Sequence, residues 1–149
     1  MAELFPLPMP WLRPGANSSN LEVIAMRNQG LVKAYVAGAA ISPNRFLKFG
    51  ADDHTLIQGA AAGDSIFCVS DDVGCASGER IDAVLTDIAT VEYGGTVTRG
   101  GLLMSDSTGR AIAATASAGS NVRTCGIALV SAVVGDKGPV LLSPGSFQG

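Results

Sequence analysis

Over residues 87–114, DIATVEYGGTVTRGGLLMSDSTGRAIAA, apolar and polar positions alternate, and glycine pairs at Gly94-Gly95 and Gly100-Gly101 interrupt them. A polar turn, Ser105–Gly109, follows before the apolar residues resume. A strand presents side chains to its two faces with a period of two, and its turns draw on Gly, Asn, Asp and Ser. The pattern therefore predicts short strands at about Ile88–Tyr93, Thr96–Arg99, Leu102–Ser105 and Arg110–Ala114. Gly94, Gly95, Gly100, Gly101 and Gly109 are assigned as scaffold turns.

The same reading applied to the rest of the chain predicts an all-β domain of short strands over residues 21–149. Leu21–Ala40 reads as two strands around the turn Asn28–Gly30, and Arg45–Phe49 as another. Ser65–Val69 and Glu79–Thr86 follow, separated by a polar loop at Ser70–Gly78. Val122–Val130 is apolar at successive positions, as a strand buried on both faces should be. Gly135–Pro139 is predicted as a hairpin turn and Val140–Leu142 as the last strand, with SPGSFQG as a tail.

Residues 1–20 differ in kind. Pro6, Pro8, Pro10 and Pro14 each fix φ and remove a donor, which rules out helix and inner strand and predicts an extended arm. Between them stand Leu4, Phe5, Leu7, Met9, Trp11 and Leu12, more apolar surface than a solvated tail needs. The expectation is that these six residues dock on a neighbouring subunit or another protein. Burial of each would contribute about 1.5–3 kcal/mol.

Composition narrows the function. Of 149 residues 47% are hydrophobic, but only 5% are aromatic and 15% charged, and nineteen are glycine. A core built from such small residues is thin, and a surface so poor in charge suits one covered by copies of itself or by a larger partner. The net charge of −3 and the scattered Lys and Arg argue against nucleic acid, which needs a basic stripe. No apolar run approaches a membrane span. Three cysteines and an opening MAELFPLPMP without signal-peptide character predict synthesis in a reducing cytoplasm with free thiols. A Cys68–Cys75 bridge remains open on spacing alone.

The candidate chemistry is thin. Asp52, Asp53 and His54 bring two carboxylates beside the sole histidine, but adjacent strand residues face opposite ways, and a solvated turn is the better reading. Asp71 and Asp72 lack the alternating ligand spacing of a calcium loop. Cys75 has no histidine close in sequence. There is no GxSxG, HExxH, GxGxxG or GxxxxGK[ST], so no catalytic, metal or cofactor residue is assigned.

One block carries a likeness. ERIDAV from Glu79, VEYGGTVTRGGLLMSDSTGRA from Val91 and GIA from Gly126 resemble the capsid cement or decoration proteins of tailed phages, over about residues 30–143. The proline-rich arm is longer than the resemblance leads one to expect. The resemblance implies a β-clip or β-tulip domain that binds the outside of an assembled head as a trimer, beside the major capsid protein. The arm would add a strand to a capsid edge or reach the adjacent copy. Two alternatives stand beside it. One is a trimeric dUTPase-like enzyme using Asp52, Asp53, Asp71 and Asp72 for Mg²⁺; the other is a head-completion or tail protein of similar fold.

Overall fold

The computed structural model describes residues 30–149. The arm residues Leu4, Phe5, Leu7, Met9, Trp11 and Leu12, and the strand expected before Asn28, lie outside the described residues. No helix is found among the described residues, and the chain is all-β.

The first half forms a closed barrel. Its strands are β1 (Val32–Ala37), β2 (Phe46–Phe49), β3 (Thr55–Gln58), β4 (Cys68–Ser70) and β5 (Arg80–Val84), in the order β1-β3-β2-β4-β5. Strand β5 closes the ring by pairing antiparallel with β1, with Val32 opposite Val84 and Val36 opposite Arg80. Only the β1–β3 pairing within the ring is parallel.

The second half is a five-stranded antiparallel sheet in the order β6-β10-β9-β7-β8. Its strands are β6 (Ile88–Glu92), β7 (Leu102–Ser105), β8 (Ala111–Ala113), β9 (Asn121–Ala128) and β10 (Lys137–Gln148).

Strand alternation joins the two halves. In β2, Phe46 and Leu47 are both fully buried, yet Leu47 belongs to the barrel's own core while Phe46 packs between barrel and sheet. Strand β4 repeats this, with Cys68 in the barrel core and Val69 in the shared one. Successive residues of a strand point to opposite faces, so two adjacent apolar residues serve two cores. Against Phe46 and Val69 the sheet lays Ala89, Val91, Tyr93, Leu103, Ala128 and Val140.

Several boundaries differ from the sequence pattern. Thr96–Arg99 is not a strand; Val97 makes an isolated bridge to Ala132, and a turn closes at once with Gly101 N donating to Thr98 O at 3.0 Å. Four residues held between two glycine pairs have no room for a ladder. Strand β3 went unforeseen, and only its two neighbours, β1 and β2, define it. The strand expected from Ser65 begins at Cys68, because Ile66 N turns back to Asp64 O at 3.0 Å. Arg110 stays in the turn, its N–H held by Asp106, and β8 starts at Ala111.

The predicted tail is the largest correction. Gly145, Ser146, Phe147 and Gln148 pair with Thr124, Arg123, Val122 and Asn121, so β10 runs twelve residues and spans the sheet. An irregularity between Leu142 and Gly145 takes up Ser143 and Pro144, as bulges do for residues that cannot join a ladder. The hairpin turn is confined to Val133–Asp136, with Asp136 N bonded to Val133 O at 3.1 Å, and Lys137 is already strand.

Candidate functional site: an interaction surface

The residues considered for chemistry are not gathered. Asp52 caps its own turn, accepting from His54 N at 2.9 Å. That bond, helped by the Thr55 hydroxyl, holds its carboxyl below the ordinary 3.8. Asp71 and Asp72 work within their loop: Asp72 N donates to Asp71 Oδ1 at 2.8 Å, and Asn44 Nδ2 donates to Asp72 Oδ1 at 3.0 Å. Among the described residues no three His, Cys, Asp or Glu side chains lie together as a metal site would require.

All three cysteines are free, so Cys68 and Cys75 form no bridge. Burial pushes the Cys68 thiol strongly up and that of Cys125 to about 12, which keeps both protonated and inert. Cys75 is half-buried, its backbone paired with Ile41, and partial burial and Glu79 raise its thiol too.

A polar junction fastens barrel to sheet. Arg45, just before β2, reaches Glu92 of β6 at 3.1 Å and the Thr108 carbonyl at 3.1 Å. Arg110 binds Asp106 through Nε at 2.9 Å and approaches Glu92 at 4.0 Å. Burial alone would raise the Asp106 pKa, but N–H and side-chain bonds from Thr108 and Arg110 outweigh it and hold the carboxyl below 3.8. Asn44, buried with φ 58°, donates from Nδ2 to Thr90 O at 3.1 Å, and its own carbonyl accepts from Glu92 N at 2.9 Å. It therefore covers part of the free edge of β6. Two arginines thus face two carboxylates across the junction, with Arg45 Nε buried and without a hydrogen-bond partner.

Two of the assigned glycines, Gly94 and Gly109, lie beside this junction. A Cβ on Gly94 would run into the Asp106 carboxylate, and Gly109 has φ 80° with the Phe46 carbonyl 3.0 Å from where its Cβ would be. Gly100 lies in the turn before β7; a Cβ on Gly101 would come 3.0 Å from Thr98 O, and one on Gly95 3.5 Å from the Ile112 side chain.

The outer face of the sheet is the feature that the sequence reading did not assemble. Ile88 of β6 stands opposite Leu141 of β10, Leu141 opposite Ile127 of β9, and Ile127 opposite Leu102 of β7. Directly opposite residues share a face, so these four make one apolar row across four strands. Leu102 is 44% exposed and Leu141 38%, while Ile88 and Ile127 are half-buried. Their chain neighbours Ala89, Val140, Ala128 and Leu103 point inward and are buried. Thr90 and Pro139 form the next pair, with Leu129 beside Pro139, and Glu92 stands opposite Lys137 in the pair after that. An antiparallel sheet with one face in water normally carries polar residues there. The available signal was the lack of alternation in the LLM of β7 and the VLL of β10.

A second surface lies where barrel and sheet meet on the other side. Phe49, 50% exposed, stacks on Phe67 with ring centroids 4.3 Å apart, at the rim of a cleft of about 380 Å³ that Arg123 and Pro144 also line.

Comparison with known proteins places the fold. No family model matches the chain, and no curated protein does. Among solved structures, the chain is similar to the N base of the head fibre gp8.5 of bacteriophage phi29, with TM-score 0.58 and 16% identity. The likeness covers 76% of this chain and 93% of that one. At that identity the two share a fold.

Proposed function

We propose that this chain is a structural virion protein, a decoration or cement protein bound to the outer surface of a tailed-phage head. It sits at capsomer junctions as a trimer, contacts the major capsid protein and its own copies, and stabilises the expanded shell against the pressure of packaged DNA. The observation that carries this is the fold shared with the head fibre base, over most of both chains. The VEYGGTVTRGGLLMSDSTGRA block and an apolar outer sheet face support it. Such a role needs no cofactor. Three weak attachments held on one threefold axis bind about 10² to 10⁴ times more tightly than one, when the geometry lets all three engage. In this reading Leu4, Phe5, Leu7, Met9, Trp11 and Leu12 are the gripping residues, on capsid or adjacent subunit.

The test is cosedimentation with heads stripped of decoration protein. Full-length protein is expected to pellet with the heads, and a chain lacking residues 1–14 to stay largely in the supernatant with its circular dichroism unchanged. Equal binding by the truncated chain would remove the arm from the mechanism, and absence of binding by the intact chain would remove the decoration role. Because the related fold belongs to a fibre base, the copy number per head separates a shell-wide decoration from a closed ring at one vertex.

A further inference from the structure

We infer that residues 21–26 of this chain add as a strand to the open edge of its own β10, over residues 143–148, and so carry the start of the chain to the Gln148 end of the domain.

The edge is open because β6 is shorter than β10. Strand β6 pairs with β10 only from Lys137 to Leu141, and the last bond on that side runs from Leu142 N to Asp87 O at 2.8 Å. Upstream of Asp87, whose φ is 63°, the chain leaves β10 for β5. From Gly145 to Gln148, β10 keeps β9 on one side and, among the described residues, has no strand on the other. Gly149 N donates to Ser120 O at 3.0 Å, which sets Gly149 on the β9 side. Backbone groups alternate between the two sides of an antiparallel strand, so Ser146 and Gln148 turn their N–H and C=O groups to the open edge. Both residues are exposed. A ribbon of two strands is marginal by itself in water, and an unpaired edge is a template for a third.

The ribbon also borders an apolar spot that the described residues leave half covered. Pro144, Gly145 and Ser146 line the cleft at whose rim Phe49 stacks on Phe67. A third strand beside Ser146 would bring apolar side chains over that cleft.

The occupant follows from where the described chain begins. Leu31 N donates to Thr86 Oγ1 at 2.9 Å, and Leu31 O accepts from Leu85 N at 2.7 Å, so Gly30 lies beside Thr86. Thr86 precedes Asp87, the residue that makes the last bond to β10. The chain therefore enters the domain where the open edge starts. A strand that ends at this point and lies along residues 143–148 runs antiparallel to β10. The sequence just upstream is the one read as a strand, LEVIAM, with the β-branched pair Val23 and Ile24 and no proline. Six residues meet an edge of six, and Arg27, Asn28 and Gln29 are left for the connection. Closing so short a loop within one chain costs less than capturing a second copy.

This pairing holds whether or not the chain decorates a head, and it fixes where the proposed gripping arm leaves the domain. Strand β10 starts after the turn at residues 133–136 and ends beside the loop at residues 117–120. Residues 1–20 would emerge at the second of these ends.

The experiment is amide hydrogen exchange on the full-length chain, read by NMR at Ser146 and Gln148. Both amides are expected to exchange slower than in an unstructured peptide by about tenfold or more. One of two full-length variants, Val23→Pro or Ile24→Pro, should lose that protection while the amides of Val91 and Leu103 in the core keep theirs. Unprotected Ser146 and Gln148 in the intact chain would overturn the inference. Protection that survives both proline variants would give the edge to another part of the chain. Protection that fades on dilution to a monomer would give it to a neighbouring copy.

Discussion

The barrel and the sheet solve the same packing problem in different ways. The barrel closes on itself through β1 and β5, so it has no edge strand and can fill its interior with its own residues, Tyr35, Ile41, Leu47, Leu56 and Ile81. The sheet stays open. Its inner face is completed by Phe46, Ile66 and Val69 from the barrel half, and its outer face carries an apolar row. The barrel's interior is its own, whereas the core between the two halves belongs to both.

The sharpest way to break the comparison is Phe46→Ala, which removes the largest barrel side chain from the shared core. It should cost about 3–5 kcal/mol, read by urea denaturation. Far-UV circular dichroism and tyrosine fluorescence should report one transition. Two separated transitions would mean that barrel and sheet do not share a core in the energetic sense.

Next in size is a pair on one strand. Leu103→Ala deletes a fully buried inner side chain and should cost about 2–5 kcal/mol. Leu102→Ala, one residue away on the outer face, should cost less than about 1 kcal/mol in the isolated protein. Similar losses at both positions would show that the outer face is already covered in solution.

Asn44 tests the fastening between the halves. Asn44→Ala removes the bonds to Asp72 and Thr90 and forces a Cβ without a local polar group into a positive φ. The expected loss is about 2–4 kcal/mol, combining unsatisfied polar groups with left-handed strain. Asn44→Gly keeps the backbone comfortable and should lose about 1 kcal/mol less. Equal losses would assign the whole effect to the hydrogen bonds.

The smallest expected effect is on the acid side. Asp106 and Asp64 are both held below their ordinary 3.8 although burial works to raise them. For Asp64 the opposing groups are Lys48 at 2.8 Å and the N–H groups of Ala60 and Ala61. A carboxylate whose folded pKa is depressed contributes stability above its unfolded value, and loses it as pH falls through the folded one. The melting temperature should therefore decline below about pH 4, and Asp106→Asn should flatten that decline. A variant with the same acid slope as wild type would remove Asp106 from the account.

What the sequence alone determined was local. Period-two alternation and glycine-rich turns were enough for an all-β domain and for Ile88–Glu92 and Leu102–Ser105, because strand pattern and turn chemistry act over a few residues. Thr55–Gln58 and the end of the chain were not legible: β3 is a strand because it lies between β2, beside it in the chain, and the more distant β1, and the end of β10 because it pairs with β9. Thr55 pairs with Val36, and Phe147 with Val122. Val97 shows the converse, a strand-like residue whose glycine neighbours leave it a single bridge. The outer row was the least legible feature of all. Ile88, Leu102, Ile127 and Leu141 are four unremarkable apolar residues in the chain, and only the register of four strands lines them up on one face. Register is set by long-range pairing and by which face the barrel buries, and a shift of one residue would have turned that row inward.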